Sequence, residues 1–332
     1  MSIKSKIASL LLISTLLLIP AKSAFAIGPS TPGSGGNGLR VSPVRTDLTI
    51  AAGKSQIVNI SLTNVTSSPS TVKVIINDFG ASKDESGNPA IVLDPNQYAQ
   101  SHSLKRFITP IGNYTIAPGQ TAQIPVSINI PANAAGGGYF GAIRFVPAKL
   151  ANGPDVNISL AGSVGSLILV KVPGDFKELM IIKSFDVRKK DSPSTFFTSN
   201  KNLNLTARLE NKGNVQEQPF GKVFVKNSKG KFIYETEFNN TIPRGNVLPD
   251  SIRKFPVPLK NIGSFGKYTV EGSFGYGSTG QLVSASTTFY VVPTWMIITF
   301  FAVVALIVFL IFGLPRIIRA YNQRVLRNAR RN

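Results

Sequence analysis

The sequence of 332 residues contains few of the side chains that carry nucleophilic or metal chemistry. It has no cysteine, and its one histidine is His102. A zinc site of histidine and cysteine ligands therefore cannot form within one chain, and a Ser-His-Asp or Cys-His centre is not expected. His102 follows Gln100 and Ser101 in a polar stretch, so we interpret it as an exposed loop residue.

Carboxylates give no clearer sign of catalysis. The 16 acidic residues are scattered among predicted turns, and the spacing of a glycosidase-type pair is set in space, so the sequence singles out no pair. The run Asp-Glu-Ser-Gly-Asn at 84–88 is rich in oxygen ligands but lacks the spacing of a calcium-binding loop. We interpret it as the tip of a hairpin. The sequence thus predicts no enzyme, no cofactor and no metal site.

One glycine-rich segment is a candidate binding site. Residues 136–141 read Gly-Gly-Gly-Tyr-Phe-Gly, and no helical pattern follows, so this is not a dinucleotide fingerprint. Glycine within a strand permits either tight sheet packing or the close approach of another molecule. Both interpretations stay open. In the second, a glycan or a partner strand approaches a flat sheet face and contacts Tyr139, Phe140 and Arg144.

The N-terminus has the three parts of a secretory signal. Two lysines precede a short apolar run, and Ala24 and Ala26 frame a small-residue cleavage site. We predict a signal peptide at 1–26 that is cleaved after Ala26. A flexible leader rich in glycine and proline follows at 27–38.

A second apolar segment lies near the C-terminus. Residues 294–314 carry no charge, and at ~1.5 Å per residue a helix of this length matches a hydrocarbon core of ~30 Å. Trp295 lies at one end, where the headgroup region favours an aromatic ring. We predict a transmembrane helix at 293–315 and a basic cytoplasmic tail at 316–332.

Charge sets the predicted orientation of this helix. The tail has no acidic residue and contains six arginines: Arg316, Arg319, Arg324, Arg327, Arg330 and Arg331. Basic residues beside a span stay in the cytoplasm, and the signal peptide sends the preceding residues outward. The sequence therefore predicts a single-pass cell-membrane protein with extracellular N-terminal domains. Because this topogenic role accounts for the arginines, no nucleic-acid partner is expected.

Between the signal and the apolar segment, the hydrophobic period is two. Apolar and small polar residues alternate at 57–63, 124–130 and 203–209, which indicates half-buried strands. Turns that contain glycine or asparagine separate such runs, and no amphipathic helix is evident. We predict an all-β fold of two tandem immunoglobulin-like β-sandwich domains, at 39–173 and 174–292, followed by one transmembrane α-helix.

The part between the two membrane-directed segments is also basic. The formal net charge is +20, and three lysines lie in the signal and six arginines in the tail, which leaves +11 for the exported part. Such a charge favours anionic partners, among them anionic wall polymers, but the charges are scattered and specify no ligand. Without disulfides, each exported domain must be held together by its hydrophobic core.

The order of these parts and several short motifs resemble a known family. Ala-Pro-Gly-Gln at 117–120 and the glycine-rich strand at 136–145 are similar to the first domain of bacterial surface proteins that interact with WxL cell-wall proteins. Asn-Lys-Gly-Asn at 211–214 and Gly-Asn-Val-Leu-Pro at 245–249 resemble related membrane-proximal domains. No Trp-x-Leu motif is present, since Met and Ile follow Trp295. The resemblance therefore implies the WxL-interacting protein and not a WxL protein.

The resemblance implies a first domain similar to peptidoglycan-binding domains, and a function in wall attachment or in the display of surface partners. It carries over no individual binding residue. The leading hypothesis is a non-enzymatic, membrane-anchored cell-surface protein that binds peptidoglycan or another wall polymer, a surface protein, or both. Strand addition at an exposed sheet edge is one mechanism for the surface-protein partner. The alternative is a chaperone-like or scaffold subunit of a surface-appendage or export assembly.

Overall fold

The computed structural model describes residues 38–148, 163–175 and 177–329. Several predicted features lie outside the described residues. These are the signal peptide with its cleavage site at Ala24 and Ala26, and all but the last residue of the leader. The tail residues Arg330 and Arg331 also lie outside them. Within the described ranges the chain is predominantly β, with one apolar helical segment near the C-terminus.

Nine strands form the first sandwich: β1 (Leu39–Ser42), β2 (Arg45–Thr49), β3 (Ser55–Asn64), β4 (Ser70–Ala81), β5 (Pro89–Ile91), β6 (Tyr114–Ile116), β7 (Thr121–Asn129), β8 (Gly137–Pro147) and β9 (Val164–Val172). One sheet has the order β1-β3-β7, and the other has the order β2-β9-β8-β4-β5 with β6 paired to β4. Strands β2 and β9 are parallel, whereas the other pairs are antiparallel. A short 3-10 helix at Lys105–Phe107 lies between β5 and β6.

Alternation of side chains places one face of each strand in the core. On β3, Val58, Ile60 and Leu62 are buried, while the residues between them face outward. Strand β7 repeats the pattern with three buried side chains: Ile124, Val126 and Ile128. Burial of each such side chain contributes about 1.5–3 kcal/mol, which makes this face the main source of stability in a domain without disulfides.

Nine further strands form the second sandwich: β10 (Met180–Lys189), β11 (Ser192–Pro193), β12 (Phe196–Phe197), β13 (Leu203–Asn211), β14 (Phe220–Asn227), β15 (Phe232–Phe238), β16 (Ser251–Pro258), β17 (Gly266–Tyr276) and β18 (Gln281–Val291). The smaller sheet has the order β11-β10-β13-β16, and the larger has the order β12-β18-β17-β14-β15. Between the sheets, Phe238 on β15 packs against Phe255 on β16 with ring centroids 4.9 Å apart. The predicted all-β class, with two tandem immunoglobulin-like sandwiches and a C-terminal apolar helix, is confirmed.

The apolar segment is one long helix with a local distortion. Helix α1 (Thr294–Val308) continues through a π-helical turn at Phe309–Gly313 into α2 (Leu314–Ala329). Residues 294–323 are long and apolar enough to cross a membrane. Four of the tail arginines lie on α2: Arg316, Arg319, Arg324 and Arg327. Insertion of this helix and its orientation stay predictions.

Glycines bring the backbones of the two sandwiches into contact. A Cβ atom added to Gly136 would lie 2.9 Å from Cα of Gly174, in the linker between β9 and β10. One added to Gly137 would lie 2.9 Å from the carbonyl oxygen of Asn214 in the second sandwich. Gly138 N donates to that same oxygen at 2.8 Å. These glycines of the segment 136–141 therefore permit tight backbone packing between the domains, whereas the sequence suggested packing within the sheet; ligand binding by this segment stays a prediction.

We expect Gly136→Ala to lower the free energy of unfolding by about 1–3 kcal/mol, because an added methyl group overpacks this backbone contact. Urea unfolding of the full chain in detergent measures the change. Gly112→Ala is the matched control, since a Cβ there meets nothing within 4 Å. Equal stabilities of the two variants would contradict the close contact.

Candidate functional site

A salt bridge ties the tip of the β4–β5 hairpin to the second sandwich. Arg208 on β13 donates to both carboxylate oxygens of Glu85, at 2.7 and 2.5 Å. Lys254 N on β16 donates to the carbonyl oxygen of Glu85 at 2.8 Å. Hydrogen bonds from Arg208 lower the pKa of the Glu85 carboxyl. The segment 84–88 is a hairpin tip, as the sequence predicts, and it also clamps the two domains together.

A small cavity of about 90 Å³ lies behind this hairpin, between the sandwiches. Its apolar walls come from both domains: Phe79, Leu167, Leu169, Leu248 and Ile252. Two guanidinium groups, those of Arg45 and Arg253, border it. Such a cavity has room for several waters or for a small anionic group beside an apolar one.

The two arginines differ in their partners. Arg45 pairs with Asp47 at 2.8 Å and donates to the carbonyl oxygen of Arg244 at 2.8 Å. Arg253 donates to the carbonyl oxygen of Asn246 at 2.8 Å, and within the described ranges no carboxylate pairs with it. Burial, together with the charge of Arg45, lowers the pKa of Arg253. The cavity is therefore electropositive.

A second, more polar cleft of about 390 Å³ also lies between the sandwiches. Glu217 accepts a hydrogen bond from Gly277 N at 2.9 Å, and Glu178 accepts one from Ser278 N at 2.8 Å. Burial raises the pKa of Glu217 to about 7, and the Glu178 carboxylate adds to the rise. Burial opposes ionisation of Glu178 too, but hydrogen bonds from Lys171 and Ser278 lower its pKa.

Carboxylates with pKa values displaced in opposite directions are a pattern found in acid–base catalysis. Here, however, Glu178 and Glu217 both accept hydrogen bonds from the backbone of one turn, at 277–278 between β17 and β18. Lys171 of the first sandwich binds Glu178 at 2.9 Å. The pair therefore holds the β17–β18 turn against the first domain, which is a structural arrangement.

Prolines close two of the exposed sheet edges. The carbonyl oxygen of Ser127 on β7 accepts a hydrogen bond from Thr109 N, so the backbone groups of Ser127 point away from the sheet. Those of Pro125, two residues earlier, point the same way. Because proline has no N–H, this position offers no donor to an added strand. On β16, Lys254 N points outward and donates to the carbonyl oxygen of Glu85. Pro256 and Pro258, two and four residues later, also face outward and have no N–H to offer. Neither edge can accept a continuous added strand.

Bulges and charges interrupt two more edges. The β10–β13 register shifts between Ile182 and Ser184, and the exposed Lys183 lies at that point. The β14–β15 register shifts between Val225 and Lys226, and β15 carries two exposed acidic residues, Glu235 and Glu237. Both features discourage pairing with another strand.

The edge of β18 has none of these protections. Tyr290 N donates to Thr195 O and Val292 N to Phe197 O, so even-numbered residues of this strand direct their backbone groups away from β17. Four earlier residues therefore offer outward N–H and C=O groups: Leu282, Ser284, Ser286 and Thr288. In the described part of the chain, no strand pairs with this edge before Tyr290, and β18 contains no proline and no charge. It is the best candidate site for strand addition.

The binding residues predicted from the sequence lie elsewhere, on the central strand β8. Phe140 is only 2% exposed and packs against Phe79, so it offers no surface to a ligand. The Tyr139 hydroxyl donates to Ala135 O at 2.9 Å, and the guanidinium of Arg144 donates to Ser163 Oγ at 3.1 Å. Tyr139 and Arg144 are partly exposed, and ligand binding by them stays a prediction.

The expected exposure of His102 is wrong. Its side chain is half-buried beside Phe140, with ring centroids 5.7 Å apart. Nδ1 lies 2.7 Å from the carbonyl oxygen of Gly138, so the ring binds the backbone of β8. No local pattern indicates this contact, because residues 102 and 138 are brought together only by the fold. The open edge of β18 could have been suspected from its lack of charge and proline.

No protein-family model and no curated protein matches the chain. Among solved structures it is similar to the class 5 fimbriae chaperone CfaA, with 14% identity, 77% of this chain and 99% of that chain covered, and a TM-score of 0.37. It is also similar to the chaperone–tip adhesion subunit complex CsuC–CsuE from Acinetobacter baumannii, at 12% identity, with 74% and 97% covered and a TM-score of 0.35. A third similar structure is a PapD-like domain of human CEP192. It has 10% identity, with 47% of this chain and 99% of that chain covered, and a TM-score of 0.28.

We expect Glu217→Gln to stabilise the protein above pH ~7 and to have little effect near pH ~4. The folded protein raises the pKa of this carboxyl from 4.5 to about 7, so it binds the proton more tightly than the unfolded chain does. The free energy of unfolding therefore falls as the pH rises from about 4.5 to about 7. The glutamine amide does not ionise, so it removes the cost of burying the charged carboxylate, which is up to about 3 kcal/mol.

Urea unfolding of the full chain across this pH range measures the effect. Glu237→Gln, which changes an exposed carboxylate of the same domain, is the matched control. A stability difference between Glu217→Gln and the unchanged chain that does not depend on pH would contradict the raised pKa.

Proposed function

We propose that this chain is a membrane-anchored, non-enzymatic assembly protein, with a chaperone-like or scaffold function. It holds a partner polypeptide by adding one of the partner's strands to the edge of β18. The observation that carries the proposal is the row of outward N–H and C=O groups on Leu282, Ser284, Ser286 and Thr288. An added strand would satisfy these groups and extend the larger sheet of the second sandwich.

The edge also has suitable side chains. Ser284 and Ser286 are exposed and small, so they present no steric barrier to a neighbouring strand. Leu282 is 66% exposed, which gives a partner strand one large apolar contact at the end of the edge. Main-chain hydrogen bonds would supply affinity, and the alternating side chains would supply specificity.

The clamped domain junction supports an assembly function as well. Because Glu85 and Asn214 fix the two sandwiches to each other, the edge is presented in a constant orientation relative to the first domain. A preorganised edge loses little conformational entropy when a partner strand binds. In this proposal the helix at 294–323 anchors the assembly to the membrane, and the arginine-rich tail is cytoplasmic.

Attachment to a wall polymer through Tyr139 and Arg144 stays a prediction. Arg144 is engaged with Ser163 and Asn77, which leaves it less free to bind an anion. Retention of the full chain on purified peptidoglycan at high salt would favour that function over partner assembly.

We expect Ser286→Pro to weaken partner binding about tenfold without unfolding the domain. Proline removes one outward N–H and is tolerated where that donor faces solvent. A partner carbonyl left unpaired costs about 1–3 kcal/mol, which is roughly a tenfold loss of affinity or more. A photocrosslinking amino acid at Ser284, in cells that make the full chain, should give a discrete adduct with a partner polypeptide.

Ser286→Thr keeps the donor and is the matched control for this experiment. The adduct should persist with threonine and fall about tenfold with proline, while thermal unfolding of the two variants stays similar. Equal adduct in both variants, or no adduct in the otherwise unchanged chain, would rule out strand addition at this edge.

A further inference from the structure

The second sandwich is joined to the apolar helix almost without a linker. Strand β18 ends at Val291 and α1 begins at Thr294, so only two residues separate them. Val292 N donates to Phe197 O at 2.9 Å, and Met296 N donates to Pro293 O at 3.0 Å. The last residue before Pro293 is therefore hydrogen-bonded to the sandwich, and the first turn of the helix follows directly.

Strand pairing identifies the loops that share this end of the domain, here called the helix-side end. Val291 pairs with Gly266 at the start of β17, and Asn227 at the end of β14 pairs with Tyr268. In the other sheet, Leu203 is paired with Lys189 and bonded to Leu259 N. The helix-side end thus comprises three segments: residues 189–202, 228–231 and 259–267.

The helix-side end is strongly basic. Six exposed lysines lie in its three segments: Lys190, Lys201, Lys229, Lys231, Lys260 and Lys267. Their one acidic residue is Asp191. The opposite end of the same domain, at 173–179, 211–219, 239–250 and 277–280, carries four acidic and three basic residues. Of the two ends, only the one from which the helix leaves therefore carries a net positive charge.

Aromatic side chains are exposed at the same end. Phe265 is 58% exposed and Phe196 is 64% exposed, and the Phe196 ring stacks on Tyr290 at 4.9 Å. Trp295 lies at the start of the helix and is 65% exposed. Aromatic rings surrounded by lysines have the composition of a surface that lies at a membrane–water interface.

We infer that the helix-side end is a docking surface for anionic phospholipid headgroups, which holds the second sandwich upright on the bilayer. The inference rests on the membrane anchor that is part of the proposed function. The lysines contact lipid phosphates, and Phe196 and Phe265 enter the headgroup region. Docking of this kind would fix the β18 edge at a constant height and angle above the membrane.

A cysteine-free chain allows a direct test. The full chain with Ser264→Cys, labelled with a fluorophore, is reconstituted into phosphatidylcholine vesicles with and without phosphatidylglycerol. A nitroxide on the lipid headgroup then quenches the label according to its proximity. We expect quenching to be roughly threefold stronger with the anionic lipid, and to fall to the phosphatidylcholine value at high salt.

Two triple variants with the same change in charge decide whether the lysines cause the docking. Lys190→Gln, Lys201→Gln and Lys260→Gln together should remove the gain in quenching. Lys54→Gln, Lys73→Gln and Lys83→Gln, at exposed positions of the first domain, should leave it unchanged. Equal quenching in all three proteins, or in both lipids, would overturn the docking surface.

A separate label distinguishes failure of the anchor from failure of the docking. Ala305→Cys lies within α1 and should be quenched by a nitroxide on the acyl chain. Absence of that quenching would overturn the membrane anchor itself, and with it the docking inference. Quenching at Ala305 without lipid-dependent quenching at Ser264 would overturn the docking alone.

Discussion

The backbone contact between the two sandwiches constrains the rest of the molecule. Gly136 and Gly137 approach Gly174 and Asn214 so closely that a Cβ on either would lie 2.9 Å from a backbone atom. Any side chain there would push the domains apart. This contact also sets the position of the β4–β5 hairpin, since its residue Glu85 can reach Arg208 only when the domains lie side by side. The close backbone contact at these glycines therefore determines which surfaces of the two sandwiches are covered.

Among the surfaces that it covers is the edge of β16, whose Lys254 N donates to Glu85. The edges of β7, β10 and β15 are closed by other means: a proline, a bulge, and a bulge with charges. Natural sandwich domains protect their edge strands against pairing with other chains. In the second sandwich, one long edge is open although the others are protected, so a general lack of protection does not explain it. Selective exposure of β18 is a property expected of an edge that pairs with a partner strand.

Period-two alternation was enough to predict the strands at 57–63, 124–130 and 203–209, because burial of one face depends on local sequence. The glycine-rich strand was also recognisable, but its contact partner was not. Asn214 follows Gly137 by dozens of residues, and only the fold brings the two together. The same reason explains the errors over His102 and Phe140. Their exposure depends on residues that pack over them, Gly138 and Phe79, and not on their neighbours in sequence.

The direction of β18 restricts the class of partner that can use its edge. The strand runs into the helix after two residues, so its direction and that of the helix are coupled. If two copies of the chain paired antiparallel through this edge, their helices would leave the joined sheet in opposite directions and could not enter one bilayer. A strand from a different polypeptide meets no such restriction, whether it binds parallel or antiparallel. In the proposed membrane-anchored state, the helix therefore disfavours antiparallel self-association at the open edge of β18.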